Sequence, residues 1–120
     1  MSAPALYRDE HCVVDFSNNG VFVDARPLTL TRKEYELLAL LAQNAGQIVP
    51  RDVLLREVWG YGPDIRTRTL DVHVRRLRKK LGDYGDTYIE TIFGVGYRFQ
   101  PYREPKVLRW LEGHLMPLSA

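Results

Sequence analysis

An α+β fold, with an N-terminal antiparallel β-sheet, three helices and a C-terminal β-hairpin, is what these 120 residues predict. Three observations carry that prediction. Short β-rich runs broken by turn residues precede Thr31, three stretches between Arg32 and Leu81 keep helical apolar spacing, and two β-rich runs flank Gly94-Val95-Gly96. The composition, 45% hydrophobic, 27% charged and 11% aromatic, belongs to a globular chain and not to a disordered one. A chain of this length supports one modest core, so a single domain is expected over residues 1–102, followed by an extension over 103–120.

The sheet is read from Leu6 to Arg8, Cys12 to Phe16, Val21 to Val23 and Arg26 to Leu28, with turns at Asn18-Asn19-Gly20 and Asp24-Ala25-Arg26. Thr31 and Glu34 have capping-box spacing, in which the Thr hydroxyl accepts from the Glu amide and the carboxylate accepts from the Thr amide. A core helix therefore starts at Arg32, carries Tyr35, Leu38, Leu41 and Ala42 on one face, and stops at Asn44-Ala45-Gly46. Pro50 opens a second, short helix in its first turn, with Leu54, Leu55, Val58 and Trp59 on one side and Gly60 as its end. After the loop Tyr61-Gly62-Pro63-Asp64-Ile65, a third helix runs over residues 66–81 to a stop at Gly82. A polar turn with Asp83, Gly85 and Asp86 leads to the hairpin, Tyr88 to Phe93 and Tyr97 to Gln100. In the extension, a helix starting at Pro105 would carry Leu108, Leu111 and Leu115 on one stripe, and packing on the domain, a partner contact and a frayed tail are the alternatives for it.

Several function classes are excluded early. The single cysteine, Cys12, forms no intrachain disulfide, and no Cys and His set has metal-ligand spacing, so no metal or cofactor is expected. The longest apolar run, Leu37 to Ala42, is too short to cross a bilayer, and the first residues lack a signal-peptide pattern. No membrane partner is expected, and a reducing, cytoplasmic setting fits. No nucleophile triad, carboxylate pair or phosphate-binding Gly loop is present, which argues against an enzyme.

Charge is the informative property. Between Arg66 and Lys80 stand seven basic residues and one acid, Asp71, whereas the rest of the chain is net acidic. Such one-sided clustering favours an anionic partner over i,i+4 pairing on a solvated face. On a helical projection Leu70, Val74, Leu77 and Leu81 form a docking stripe, and Arg68, Val72, Arg75, Arg76 and Lys79 lie opposite. Arginine forks match guanine O6 and N7, and a small apolar side chain meets a thymine methyl, so Val72, Arg75 and Arg76 are candidate base readers. His73 on the flank reads equally as a satisfied histidine or a phosphate donor.

Two short helices, a basic helix and a Gly-tipped hairpin in this order describe a winged helix-turn-helix. The stretches L-T-L-T-R-K-E-Y-E-L-L, V-L-L-R-E-V-W-G-Y, R-T-R-T-L-D-V-H-V-R-R-L-R-K-K-L-G and I-E-T-I-F-G-V-G-Y-R-F closely resemble the C-terminal effector domain of OmpR/PhoB-type response regulators. The resemblance implies sequence-specific binding to double-stranded DNA in transcription regulation, with the helix over 66–81 in the major groove and a wing over 88–100 on the adjacent backbone and minor groove. It implies base reading by Val72, Arg75 and Arg76, and backbone contacts by Arg51, Trp59, Arg68, His73, Arg78, Thr91 and Tyr97. Lys79 joins these as a cation on the same face. For Trp59 a buried ring with an outward indole N–H is expected.

The wing tip, Phe93, Gly94 and Gly96, departs from the family, which commonly has an arginine before the Gly-x-Gly; packing of Phe93 on the hairpin itself is the expectation, with a wedge into DNA as the alternative. Arg66 stands where an acid is common and is expected to add backbone affinity. The resemblance further implies that Tyr61, Gly62, Pro63, Asp64 and Ile65 face RNA polymerase. It also implies that the domain is monomeric when free and paired on tandem DNA repeats, and that a receiver domain belongs to the full-length protein. An excised fragment is thus the expected status of the chain, with a free-standing regulator as the alternative.

Overall fold

A computed structural model of the protein describes residues 4–103. Four short strands, β1 (Leu6–Arg8), β2 (Cys12–Asp15), β3 (Gly20–Val23) and β4 (Arg26–Pro27), form an antiparallel sheet in sequential order. The strands alternate as a one-sided sheet requires: Cys12, Val14 and Val21 are buried while Phe22 faces outward. The β3–β4 turn has Asp24 at φ 50° and Ala25 at φ 66°, between the paired Val23 and Arg26. Two positive φ values in a two-residue loop are the type I′ requirement, which matches strand twist. Phe16 and Leu28, expected as strand ends, lie just outside β2 and β4.

Helix α1 (Arg32–Gln43) begins with the expected capping box: the Glu34 amide donates to Thr31 Oγ1 at 3.2 Å, and the Thr31 amide to Glu34 Oε1 at 2.8 Å. Helix α2 (Arg51–Trp59) follows a strand that local pattern did not reveal, β5 (Ile48–Pro50). Pro50 is the residue before the first turn of α2, not within it, and is also the last paired residue of β5, opposite Gly96. Its fixed φ of −62° suits both roles and its missing N–H costs neither a bond. Gly60, at φ 73°, ends α2 in the left-handed region.

Helix α3 runs over Thr69–Leu81, three residues shorter at its start than the expected 66–81. The Thr67 hydroxyl accepts from the Thr69 amide at 3.1 Å, so the chain closes a local turn there, and Arg68 (φ −98°, ψ 5°) caps outside the helix. Arg66 and Arg68 therefore sit on the loop leading in. The expected polar turn after Gly82 is instead a 3-10 turn, Gly82–Tyr84, and a four-residue helix α4, Gly85–Tyr88, so the three-helix core gains a fourth, short member. Strands β6 (Ile89–Ile92) and β7 (Gly96–Phe99) make the hairpin, and β5 joins it to give the order β5-β7-β6.

Both sheets and the helices close on one core that includes Leu37, Leu38, Leu41, Leu54, Leu77 and Phe99. Two polar anchors tie distant parts of it. Glu34, 1% exposed, also accepts from Lys80 Nζ at 2.6 Å, joining the start of α1 to the end of α3. Asp9 accepts from the Tyr7 and Tyr88 hydroxyls and from the amides of His11, Cys12 and Tyr102, which fastens the chain after β7 to the first sheet. The Pro105 helix lies outside the described residues.

Candidate nucleic-acid interface

The two faces of α3 separate as its spacing requires. Leu70, Val74, Leu77 and Leu81 are buried, with at most 2% exposure, while Arg75, Arg76 and Lys79 are exposed and Val72 is half-buried between them. Among the described residues Arg66, Arg68, Arg75, Arg76 and Lys79 form no salt bridge, whereas the other two cations of the segment do: Lys80 with Glu34 and Arg78, at 3.8 Å, with Asp86. Five exposed cations without a salt-bridge partner on α3 and the loop before it raise the local positive potential, which is the electrostatic footprint of a polyanion site.

A second set of polar groups works inward. The Arg51 guanidinium grips Asp71 in a bidentate pair, Nη1 to Oδ1 at 2.6 Å and Nη2 to Oδ2 at 3.0 Å, and the Tyr97 hydroxyl donates to the same Oδ1 at 2.5 Å. The hydrogen bond from Arg51, ahead of the opposing effect of burial, holds the Asp71 carboxyl below its usual range, and Tyr97 adds to it. Burial first, then the bond to Asp71, pushes the Tyr97 phenol up to about 12. Arg78 donates to the Ile89 carbonyl through Nε at 3.1 Å and Nη2 at 2.7 Å, and to Thr91 Oγ1 at 2.7 Å, with its guanidinium carbon 5.8 Å from the Tyr97 ring centroid. The start of α2, the first and third turns of α3 and both wing strands are thus locked into one frame.

Four of the residues expected on the DNA backbone, Arg51, Arg78, Thr91 and Tyr97, are thus bonded to one another or to Asp71 and Ile89 within the protein. Both guanidinium groups keep further N–H donors, and the Thr91 hydroxyl accepts from Arg78 and keeps its own proton to donate. His73 Nδ1 lies 2.7 Å from the Thr69 carbonyl, which only accepts, so Nδ1 carries the proton. In that tautomer Nε2 is an acceptor, and donation to phosphate requires the imidazolium. Trp59 is half-buried, its ring 4.9 Å from His73 in an edge-on contact.

At the wing tip, the Val95 amide donates to the Ile92 carbonyl at 3.0 Å and Gly94 has φ 77°, the positive value that a type II turn demands at its third residue. Phe93 is 90% exposed, so the expected packing on its own hairpin does not occur. The turn directs its second residue outward, away from both strands. Gly96 permits close approach of β5: a Cβ there would stand 2.1 Å from the Val49 carbonyl oxygen. In the α2–α3 loop Gly62 to Ile65 are exposed, Ile65 by 50%, and Tyr61 is half-buried. Sequence reasoning missed the role of Asp71; its signal was its isolation as the lone acid in a basic helix.

Residues 25–99, from the β3–β4 turn to the end of β7, match the family described as "Transcriptional regulatory protein, C terminal". The chain belongs to this family. It is 47% identical over 87 residues to the transcriptional regulatory protein HprR of Escherichia coli, covering 72% of this chain and 39% of HprR. The solved response regulator DrrB of Thermotoga maritima, an OmpR/PhoB homologue, superposes with a TM-score of 0.72 at 36% identity, covering 80% of this chain and 44% of that one. The DNA-binding domain of Klebsiella pneumoniae RstA, solved in complex with the RstA box, gives a TM-score of 0.74 at 33% identity over 82% of this chain and all of that one. The chain thus spans less than half the length of HprR and DrrB. Its fold is the winged helix of OmpR/PhoB-type regulators, and the family is one of transcription regulators and not of enzymes. Among the described residues no cluster of metal-ligating side chains occurs, and no helix is long and apolar enough to cross a membrane.

Proposed function

We propose that this chain is the effector domain of a bacterial two-component response regulator and binds double-stranded DNA sequence-specifically to control transcription. The observation that carries the reading is the outward surface of α3 and its leading loop, where five exposed cations, Arg66, Arg68, Arg75, Arg76 and Lys79, form no salt bridge among the described residues while the opposite stripe of α3 is buried. Arg75, Arg76 and Val72 read base edges in the major groove. Arg66, Arg68 and Lys79 hold phosphates, with the Thr91 hydroxyl adding a wing contact, and Arg51, Arg78 and Tyr97 keep wing and helix in register. The RstA domain's complex with the RstA box supports this use of the shared fold. A receiver domain in the full-length protein, an RNA polymerase contact through residues 61–65, a free monomer that pairs on tandem repeats, and a cytoplasmic location complete the proposal.

Binding to duplexes selected from a random pool, titrated with salt, tests it. About three neutralised phosphates give a slope of log affinity against log salt of roughly −2.7. Arg76→Ala is expected to cost about 1 to 3 kcal/mol and to relax preference at one base pair, whereas Arg68→Ala weakens all sequences alike. A slope near zero, or identical effects of the two variants on selected and random DNA, rejects the assignment.

A further inference from the structure

The first sheet has a second face that the core does not use. Register and alternation place Arg8, Val13, Phe22 and Pro27 in one cross-strand row on it, with Leu6, Asp15 and Gly20 in the next, opposite the buried Cys12, Val14 and Val21. The ring of Phe22 lies over Gly20, 3.3 Å from where a Cβ on that glycine would stand, so it spreads across the strands and does not point away from them. Leu6 is 42% and Phe22 36% exposed, Pro27 is exposed, and Val13 is half-buried. Four apolar side chains on one small sheet face are left open to water, where burial against another element stabilises them.

The described chain ends at the rim of this same face. The Tyr102 amide donates to Asp9 Oδ2 at 3.0 Å, and the Tyr102 ring meets His11 edge-on with centroids 4.4 Å apart. Asp9 and His11 form the β1–β2 turn, and His11 Nδ1 lies 2.6 Å from Asp24 of the β3–β4 turn, so Tyr102 is fastened at the end of the sheet where both turns lie. Residues 104–120 follow, and on a helical projection from Pro105 their Val107, Leu108, Trp110, Leu111 and Leu115 share one side, with Lys106, Arg109 and Glu112 on the other. Residues 105–116 as a helix span about 18 Å, against about 13 Å along a four-residue strand and about 14 Å across four strands. An apolar segment of that reach, tethered at the rim, competes for the face at an effective concentration in the millimolar range, well above that of any second copy in dilute solution.

We propose that the outward face of the first sheet, centred on Phe22, is a docking site for the chain's own residues 104–120, which lay their apolar side across Val13, Phe22 and Pro27. This use of the sheet is independent of the DNA reading, which concerns α3 and the wing. The full chain and a chain ended after Arg103 are each prepared with and without Phe22→Ser, and the four proteins are compared by urea unfolding and by amide NMR spectra at several protein concentrations.

Ending the chain after Arg103 is expected to lower the folding equilibrium constant about tenfold or more, the scale of re-exposing one or two partly buried apolar side chains. Phe22→Ser is expected to lower it about tenfold in the full chain and less than about threefold in the shortened one, where the ring has already lost its cover. Shortening is also expected to move the amide signals of Val13 and Phe22, on the sheet, and not only those of residues beside Arg103. Equal effects of Phe22→Ser in the two chains, or signal changes confined to the residues next to the cut, overturn the proposal. Signal changes at Val13 and Phe22 that grow with protein concentration overturn it as well, since a second copy then occupies the face. Leu108→Ser with Leu111→Ser in the full-length chain repeats the comparison without shortening, with the same two outcomes, if the shortened chain does not fold.

Discussion

Replacing Glu34 by alanine tests how this small core tolerates a carboxylate. Glu34 is 1% exposed and its Oε1 accepts from the Thr31 amide at 2.8 Å and from Lys80 Nζ at 2.6 Å, 46 residues away in sequence. Losing the returning half of the capping box costs about 0.5 to 1 kcal/mol. Breaking a fully buried ion pair costs about 3 to 5 kcal/mol, but the Lys80 side chain is 37% exposed and rehydrates, which lowers that contribution to about 1 to 2 kcal/mol. The void left by the truncated side chain adds about 1 kcal/mol. A destabilisation of about 3 kcal/mol follows, equivalent to a fall in Tm of about 12 to 20 °C for a domain of this size.

Glu34→Gln keeps the volume and an accepting oxygen and should cost about 1 kcal/mol. Burial raises the Glu34 pKa, but the Lys80 ammonium and the Thr31 groups outweigh it and hold it below the usual 4.5. A carboxyl lowered on folding stabilises above its unfolded value, so the Glu34 contribution is present above pH 4.5 and fades as pH falls through the lower folded value. Urea unfolding of Glu34→Ala, Lys80→Ala and the double variant measures the pair directly. A coupling below about 0.5 kcal/mol, or a Glu34→Ala loss under about 1 kcal/mol, refutes the reasoning.

Asp71→Asn should change stability by less than about 1 kcal/mol, because the Arg51–Asp71 pair is well solvated, yet tighten binding to random duplex and steepen its salt slope by about 0.9; an unchanged slope places Asp71 away from the DNA. Gly96→Ala forces a Cβ to within 2.1 Å of the Val49 carbonyl and should destabilise the protein by about 2 to 3 kcal/mol in chemical unfolding; wild-type stability would contradict the β5–β7 register. His11 pairs with Asp24 at 2.6 Å, stacks on Tyr84, meets Tyr102 edge-on and has Glu10 at 4.0 Å and Asp9 nearby. The bond to Asp24 raises its pKa above 6.5, so its stabilisation is complete below pH 6.5 and lost as pH rises through the folded value, while the lowered Asp24 loses its part as pH falls below 3.8. Unfolding free energies of His11→Gln should therefore lack the decline above pH 6.5 that the unmodified protein shows, and parallel pH profiles would count against the pair.

Local chemistry made much of this protein legible. The Thr31–Glu34 box placed the start of α1 at Arg32, Gly60 and Gly82 marked the ends of α2 and α3, and the spacing of Leu70, Val74, Leu77 and Leu81 assigned the buried side of α3. Each signal works within a turn or two of helix, where sequence separation and spatial separation coincide. Where two local signals competed the outcome was less readable: the Thr67 hydroxyl captured the Thr69 amide and moved the start of α3 past Arg66 and Arg68.

Other features depended on residues far apart in the chain. Ile48–Pro50 is too short and mixed to read as a strand, and becomes one because β7 supplies its partners. Spacing sorted the seven basic residues of 66–80 by helix face but not by the partners each would find within the protein. Packing divided them: Glu34 took Lys80, and the Ile89 carbonyl with Thr91 took Arg78. Packing also turned Asp71 from an isolated acid into the joint between Arg51 and Tyr97, and left Phe93 in solvent. Composition and periodicity determined that a cationic helix would face outward from a winged fold. Which of its charges stayed free was decided by the tertiary structure, because a side chain's partners are set by the distances that packing creates.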